Sequence, residues 1–192
     1  MCNFTVAALR ALLPLCEHAR PAVNQVERHP LLQQRMPHAA APAPAVFRSP
    51  AAGPLHVLVA DHVLNGRVIF PGAGYLEMAR AAVAVALRGV YFLQPLAVEA
   101  TNLLVACAVA DGRFEVRSGA DGASEDAAVH CSGAIGSCDG TQCAEKAVVR
   151  AGSCPLAGDV GALYDGFEAA GLEYGPRYRT LVWAWGGASE AV

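Results

Sequence analysis

Apolar residues dominate the stretch from residue 71 to residue 88, and the few polar ones recur at helical spacing. On a helical wheel Glu77, Arg80 and Arg88 fall in one narrow sector with Ala84 between them. Tyr75, Leu76, Met78, Ala79, Ala82, Val83, Val85 and Ala86 occupy the rest. The pattern predicts a helix over 71–88, with Gly89 as its stop. Pro71 suits its first turn, where a missing N–H costs nothing. A helix apolar around most of its circumference must be wrapped by other structure.

After that helix the period changes. Residues 90–98 and 103–110 are apolar strand candidates, and Asp111-Gly112 then separates two runs as a hairpin turn does. Residues 113–118 alternate, with Phe114 and Val116 against Glu115 and Arg117, as a half-buried strand should. Asp121-Gly122 marks a second turn, and 127–135 is a further strand candidate. One helix followed by consecutive antiparallel strands predicts an α+β unit, a curled sheet around a central helix.

The flanks differ in character. Residues 37–54 hold Pro37, Pro42, Pro44, Pro50 and Pro54 and are predicted to be extended or loop. From 136 to 158 the composition shifts to Gly, Ser, Cys and Asp, a linker with one short strand candidate at 147–150. Residues 160–170 predict a helix stopped by Gly171, and Tyr174-Gly175-Pro176 turns the chain. Residues 180–185 and 188–192 predict the first strands of another sheet.

Composition narrows the function classes. The chain has 192 residues, 54 % hydrophobic and 16 % charged, which is a globular composition with room for a core. A net charge of −3 and a single lysine, Lys146, leave no basic surface for nucleic acid. No apolar run is long and uncharged enough to span a membrane: the longest, 73–87, carries Glu77 and Arg80. Residues 5–16 lack the basic start of a secretory segment and carry Arg10, so they predict an amphipathic helix or linker. The seven cysteines include no Cys-x-x-Cys pair. The spacing of Cys131, Cys138, Cys143 and Cys154 matches no common zinc site, so free thiols in a reducing, cytoplasmic setting are expected, with organellar targeting left open.

The candidate chemistry lies just ahead of the central helix. Histidine is the side chain whose charge changes near neutral pH, and the apolar neighbours Val63, Leu64, Ile69 and Phe70 favour a neutral His62 that accepts a proton. Gly72 stands where the helix opens, so its N–H has no partner within the helix and feels the positive end of the helix dipole. A thioester or ester carbonyl placed there would be polarised, its α-carbon made acidic, and His62 would be the base that removes the α-proton.

The spacing His62-xxx-Gly66-xxxx-Pro71 resembles the signature of the dehydratase domains of polyketide synthases and animal-type fatty acid synthases. His29-Pro30-Leu31-Leu32 resembles the opening of such domains, and Pro71-Gly72-Ala73-Gly74-Tyr75 their helix start. His130-Cys131-Ser132-Gly133 resembles the segment that closes the first half. Leu163-Tyr164 with Gly171-Leu172-Glu173-Tyr174-Gly175-Pro176-Arg177-Tyr178 resembles the opening of the second half, with Tyr178 where the family more often has phenylalanine. The resemblance covers roughly residues 29–192.

It implies a double hotdog fold, each half a curled sheet around a helix. The implied organisation is a helix or linker at 1–28, a first hotdog at 29–140, a linker at 141–158 and an incomplete second hotdog at 159–192. The implied activity is loss of water from a 3-hydroxyacyl thioester carried on the phosphopantetheine arm of an acyl carrier protein. His62 is implied as base and Gly72 as carbonyl donor, with Gly66, Pro71, Tyr174, Gly175 and Pro176 shaping the pocket. No metal or redox cofactor is implied; acyl carrier protein and other synthase domains are the implied partners. The family's acid sits in an Asp-xxx-Gln or Asp-xxx-His motif beyond the second-half opening, and Asp159 and Asp165 both precede Tyr174. The chain is therefore expected to be part of a larger synthase, with the acid on a missing C-terminal hotdog half. Two other readings stay open: a non-catalytic acyl-binding or structural module, and a stand-alone hydratase or thioesterase completed by a homodimer. Against the last, Asp61 and His62 are adjacent, unlike the spacing of single-hotdog hydratases.

Overall fold

A computed structural model describes residues 29–37, 45–99, 102–120, 127–136 and 156–186. Short β1 (Gln34–Arg35) and β2 (Ala45–Pro50) lead into α1 (Pro54–Val59) and a hairpin of β3 (His62–Leu64) and β4 (Arg67–Val68). The central helix α2 (Gly72–Val83) follows, then β5 (Ala86–Phe92), β6 (Leu104–Ala110), β7 (Arg113–Gly119) and β8 (Ala128–Gly136). The last described elements are β9 (Leu156–Gly158), α3 (Val160–Ala169), β10 (Leu172–Tyr174) and β11 (Ala184–Gly186).

The main sheet has six antiparallel strands in the order β1-β2-β6-β7-β8-β5. Helix α2 lies across β5, β6 and β7, which is the hotdog arrangement. The core forms where the helix meets the sheet. Tyr75, Met78 and Ala79 from α2 pack with Val105 and Cys107 of β6, Phe114 and Val116 of β7 and Cys131 of β8. The alternation of 113–118 survives intact: Phe114, Val116 and Ser118 are buried and Glu115 and Arg117 are not. Asp111 and Gly112 both take positive φ, 49° and 69°, the twist a two-residue hairpin requires. Residues 121–122, 147–150 and 188–192, and the amino-terminal 1–28, lie outside the described residues, as do Cys138, Cys143 and Cys154. Cys107 and Cys131 are buried free thiols, held protonated by burial, with pKa values pushed up to about 12 and about 11.

Four predicted boundaries are corrected. The central helix ends at Val83, not at 88, because Ala84 takes the left-handed conformation (φ 54°) as its cap. Residues 86–92 instead pair with β8, so Arg88 belongs to a strand, and Gly89 (φ 53°) sits where the β5–β8 register shifts. Ladder pairing outweighs the helix preference of an alanine-rich run, which is worth only a few tenths of a kcal/mol per residue. The strand predicted at 90–98 accordingly ends at Phe92. The proline-rich stretch is not all loop: Ala45–Pro50 forms β2, between β1 and β6, and Pro54 opens α1, which buries Leu55 and Val59 one turn apart. Pro50 stands at the strand's last position, beyond Phe47 and Arg48, the residues that pair with β1. The strand predicted at 180–185 is shorter and later: residues 180–183 form no strand, and β11 covers Ala184–Gly186, which pairs with β9.

Candidate active site

His62 is the first residue of β3, and β3 is the middle strand of a three-stranded sheet ordered β10-β3-β4. The β3–β4 turn is Asn65-Gly66, with φ of 49° and 74°, so Gly66 serves the turn that a side chain would strain. The hairpin folds Ile69 back on the histidine. Ile69 N–H donates to the His62 carbonyl at 3.1 Å, and His62 Nδ1 lies 2.7 Å from the Ile69 carbonyl. A carbonyl only accepts, so Nδ1 is the donor in that bond, and in the neutral ring Nε2 is the bare, basic nitrogen.

The other side of His62 is supplied by β10. Tyr174 is its register partner, and Glu173 and Leu172 pair with Val63 and Leu64. The His62 ring lies 5.5 Å from the Tyr174 ring and 5.3 Å from the Tyr178 ring, and those two tyrosines stack at 10°. Tyr164 and Phe167 of α3 meet Tyr174 edge-on at 6.4 and 5.8 Å. Burial, then the neighbouring Asp61 and Tyr174, push the Tyr178 phenol up to about 12; burial, then Tyr164, also raises Tyr174. Both phenols are therefore neutral at working pH. The imidazole is half-buried against aromatic faces.

The second segment is bolted to the histidine strand by polar contacts as well. Gly175 N–H donates to the Asp61 carbonyl at 2.8 Å, and Arg177 N–H donates to Asp61 Oδ2 at 3.0 Å. Gly66 N–H donates to Glu173 Oε1 at 2.9 Å, and Asn65 N–H to the Gly171 carbonyl at 2.8 Å. Arg177 Nη1 and the Tyr178 hydroxyl donate to the carbonyls of Val57 and Leu58 in α1, at 2.7 and 3.3 Å. A Cβ on Gly175 would come within 2.6 Å of Asp61 Cγ, so this close approach demands glycine.

Pro71 is the buried N-cap of α2, in extended conformation with ψ 146°. Gly72 is the first helical residue, exposed, and three residues beyond the carbonyl that holds His62. Phe92 at the end of β5 lies beside it: a Cβ on Gly72 would stand 3.5 and 3.6 Å from that ring. The structure thus gathers His62, Gly66, Tyr174 and Gly175 on the small sheet and puts Pro71 and Gly72 at the adjoining helix start. Pro176 is exposed in the turn after Gly175. The Ile69 carbonyl and the clamp of Asp61 on Arg177 were not legible in the sequence. A backbone acceptor has no residue signature, and Asp61 looks like any acidic neighbour. Among the described residues no cluster of three or more His, Cys, Asp or Glu could hold a metal ion, and no helix is long and apolar enough to cross a membrane.

Residues 29–128 match the family model described as polyketide synthase dehydratase domain. Polyketide synthase ThaG of Burkholderia thailandensis is 30 % identical over 151 residues, which is 70 % of this chain and 3 % of that protein. Polyketide synthase PksN of Bacillus subtilis is 27 % identical over 64 % of this chain and 2 % of its own length. A dehydratase domain of a trans-AT polyketide synthase from Brevibacillus brevis superposes with a TM-score of 0.68 at 25 % identity, over 85 % of this chain and 62 % of that one. The dehydratase domain from the CurF module of curacin polyketide synthase gives 0.67 at 22 %, over 83 % and 62 %. The chain belongs to the polyketide synthase dehydratase family. It carries part of a double hotdog, spanning about three fifths of the solved dehydratase chains and a few per cent of the curated synthases. The curated relatives are named as polyketide synthases.

Proposed function

We propose that the chain supplies the basic half of a dehydratase that converts a 3-hydroxyacyl thioester, presented by an acyl carrier protein, to the 2-enoyl thioester. His62 Nε2 takes the α-proton. The electron pair forms the Cα=Cβ bond, and the β-hydroxyl leaves as water once an acid protonates it. The Gly72 N–H at the start of α2 is assigned to the thioester oxygen, which gains negative charge as the proton leaves. Tyr174, Tyr178 and Gly175 hold the histidine strand, and Gly66 and Pro71 fix the hairpin and the helix entry. No metal or redox group takes part in this scheme.

One observation carries the reading. The 2.7 Å contact from His62 Nδ1 to the Ile69 carbonyl leaves Nε2 bare, as a general base requires. The acid is assigned to a second hotdog half, because Asp61 is engaged by the Arg177 N–H. A pair of this kind agrees with two CurK dehydratase structures, one a histidine-to-phenylalanine and one an aspartate-to-asparagine inactive mutant. The part of the solved dehydratases that this chain does not span is where that aspartate is assigned.

The test joins the chain to a second hotdog half and follows water loss from a 3-hydroxyacyl thioester, comparing wild type with His62→Ala. Wild-type turnover must vanish in the variant; unchanged turnover removes His62 as the base. Binding of the thioester without turnover, even with the second half present, would favour a non-catalytic acyl-binding module. Asp61, the residue before His62, supports that second reading so far as its carboxylate already accepts from the Arg177 N–H.

A further inference from the structure

Away from His62, one buried pair goes unused by the proposed reaction. His130 is 4 % exposed and Ser118 6 %. Strands β7 and β8 pair Val116 with Cys131 and Arg117 with Val129, so His130 is the extra residue of a bulge. Ser118 Oγ lies 2.7 Å from its Nε2, and the Gln94 carbonyl 3.1 Å from its Nδ1. The carbonyl can only accept, so Nδ1 carries the proton and the Ser118 hydroxyl donates to Nε2. Tyr75 lies parallel to the imidazole at 6.3 Å, and burial lowers the pKa of His130, which keeps the ring neutral.

The bulge grips the segment that follows β5. Besides the contact from His130 Nδ1, Leu93 N–H donates to the His130 carbonyl at 2.8 Å and Gln94 Nε2 to the Val129 carbonyl at 2.9 Å. Two residues further along, the same segment braces the hairpin. Phe70 N–H donates to the Leu96 carbonyl at 2.8 Å, Ile69 bridges Ala97, and Val98 N–H donates to the Val68 carbonyl at 2.9 Å. Ile69 is the residue whose carbonyl accepts the hydrogen bond from His62 Nδ1–H.

We propose that His130 and Ser118 are positioning residues for His62: they fix the strap of residues 93–98, the strap fixes Ile69, and Ile69 decides which nitrogen of His62 is bare. The inference rests on the reading of His62 as base and adds two buried residues that touch neither base nor substrate. A supporting shell of this kind holds a reacting group to the fraction of an ångström that proton transfer needs. Among the described residues Tyr75 stacks on the His130 ring and Cys131 follows it in β8; both are raised by burial and so un-ionised at working pH. The titratable groups facing His62 are Tyr174, Tyr178 and, through Tyr178, Asp61.

The test is nitrogen-15 NMR of the histidine rings in the full chain, for wild type, Ser118→Ala, His130→Leu and His130→Asn. Wild type should show His62 with a protonated Nδ1 and a bare Nε2. His130→Leu should mix the two tautomers of His62, and Ser118→Ala should do so to a smaller extent. His130→Asn, whose amide can donate to Gln94 and accept from Ser118, should restore the wild-type pattern. Joined to a second hotdog half, His130→Leu should lower kcat about tenfold with little change in KM and move the acidic limb of the pH profile. A folded His130→Leu protein with an unchanged His62 tautomer and pH profile overturns the proposal. If that variant does not fold, Ser118→Ala decides by the same two measurements. The tautomer is read without turnover, so its failure is distinct from failure of His62 as base, which shows only as turnover surviving in His62→Ala.

Discussion

Tyr174 stands directly across from His62 in an antiparallel pair, its ring 5.5 Å from the imidazole, although four strands of the six-stranded sheet, β5 to β8, lie between them in sequence. The strand that carries the candidate base is therefore finished by residues from the far end of the described chain. On one side it has the local hairpin to β4, on the other the distant β10. Whatever loosens β10 exposes the histidine strand as a sheet edge and removes its aromatic wall.

Gly175→Ala tests that coupling. The added methyl would fall 2.6 Å from Asp61 Cγ and 2.8 Å from Asp61 Cβ, distances that force Asp61 or the turn to move. We expect a loss of about 2 kcal/mol in chemical denaturation, in the range of overpacked sites. The bonds from Gly175 and Arg177 to Asp61 should weaken together, and dehydration by the reconstituted enzyme should fall. A variant as stable and as active as wild type would show that the close approach is not needed.

How much of this was legible in the sequence depends on the range of the interaction. Strands β6, β7 and β8 follow from alternation and an Asp-Gly turn, both local, and their predicted bounds lie within a residue of the observed ones. The start of α2 follows from Pro71; its end does not, because alanine-rich residues 84–88 suit a helix until β8 offers a ladder. Strand β2 was hidden by flanking prolines. The pairing of β3 with β10 involves three residues on each side and leaves no periodic trace. In the site, His62, Gly72 and Tyr174 were nameable because their side chains or their position at a helix start carry chemistry. The Ile69 carbonyl, which sets the tautomer, is backbone, and any residue there would look the same in sequence.

Gly72→Ala separates steric access at the helix start from folding. Its Cβ would meet the Phe92 ring at 3.5 to 3.6 Å, ordinary contact, and the backbone N–H is kept. Stability should be unchanged or higher by about 0.5 kcal/mol, since alanine is the better helix former. The methyl would sit beside the N–H assigned to the thioester oxygen. Turnover of the reconstituted enzyme should drop while thermal unfolding does not, and a drop in both would indicate simple misfolding.

Phe114 and Gly133 form a size pair that a double-mutant cycle should expose. They are register partners on β7 and β8, and a Cβ on Gly133 would lie 2.6 Å from Phe114 Cε1. Gly133→Ala alone should cost about 2 kcal/mol through overpacking, and Phe114→Leu alone about 1 to 2 kcal/mol through lost burial. Together they should cost less than the sum, because the smaller side chain vacates the space the methyl takes. Additive costs in urea unfolding would mean the two sites relax independently.

The latch between the amino-terminal segment and the central helix should give an acid-sensitive contribution to stability. Glu77 on α2 accepts from His29 Nε2 at 3.3 Å and from Arg80 Nε and Nη2 at 2.9 and 2.8 Å. Burial opposes its ionisation, but the bonds from His29 and Arg80 outweigh it and hold the carboxyl at about 2, against an ordinary 4.5. Because the folded value is the lower one, the folded state gains from ionised Glu77 at every pH above 4.5 and loses that gain as the pH falls from 4.5 towards 2. The side chain keeps 27 % exposure, so solvent screens part of the effect and about 1 to 2 kcal/mol is expected. Glu77→Gln should lose that amount at neutral pH and show a flatter stability curve between pH 4.5 and 2. Urea midpoints measured across that window check it, and parallel curves for the two proteins would place the acid sensitivity elsewhere.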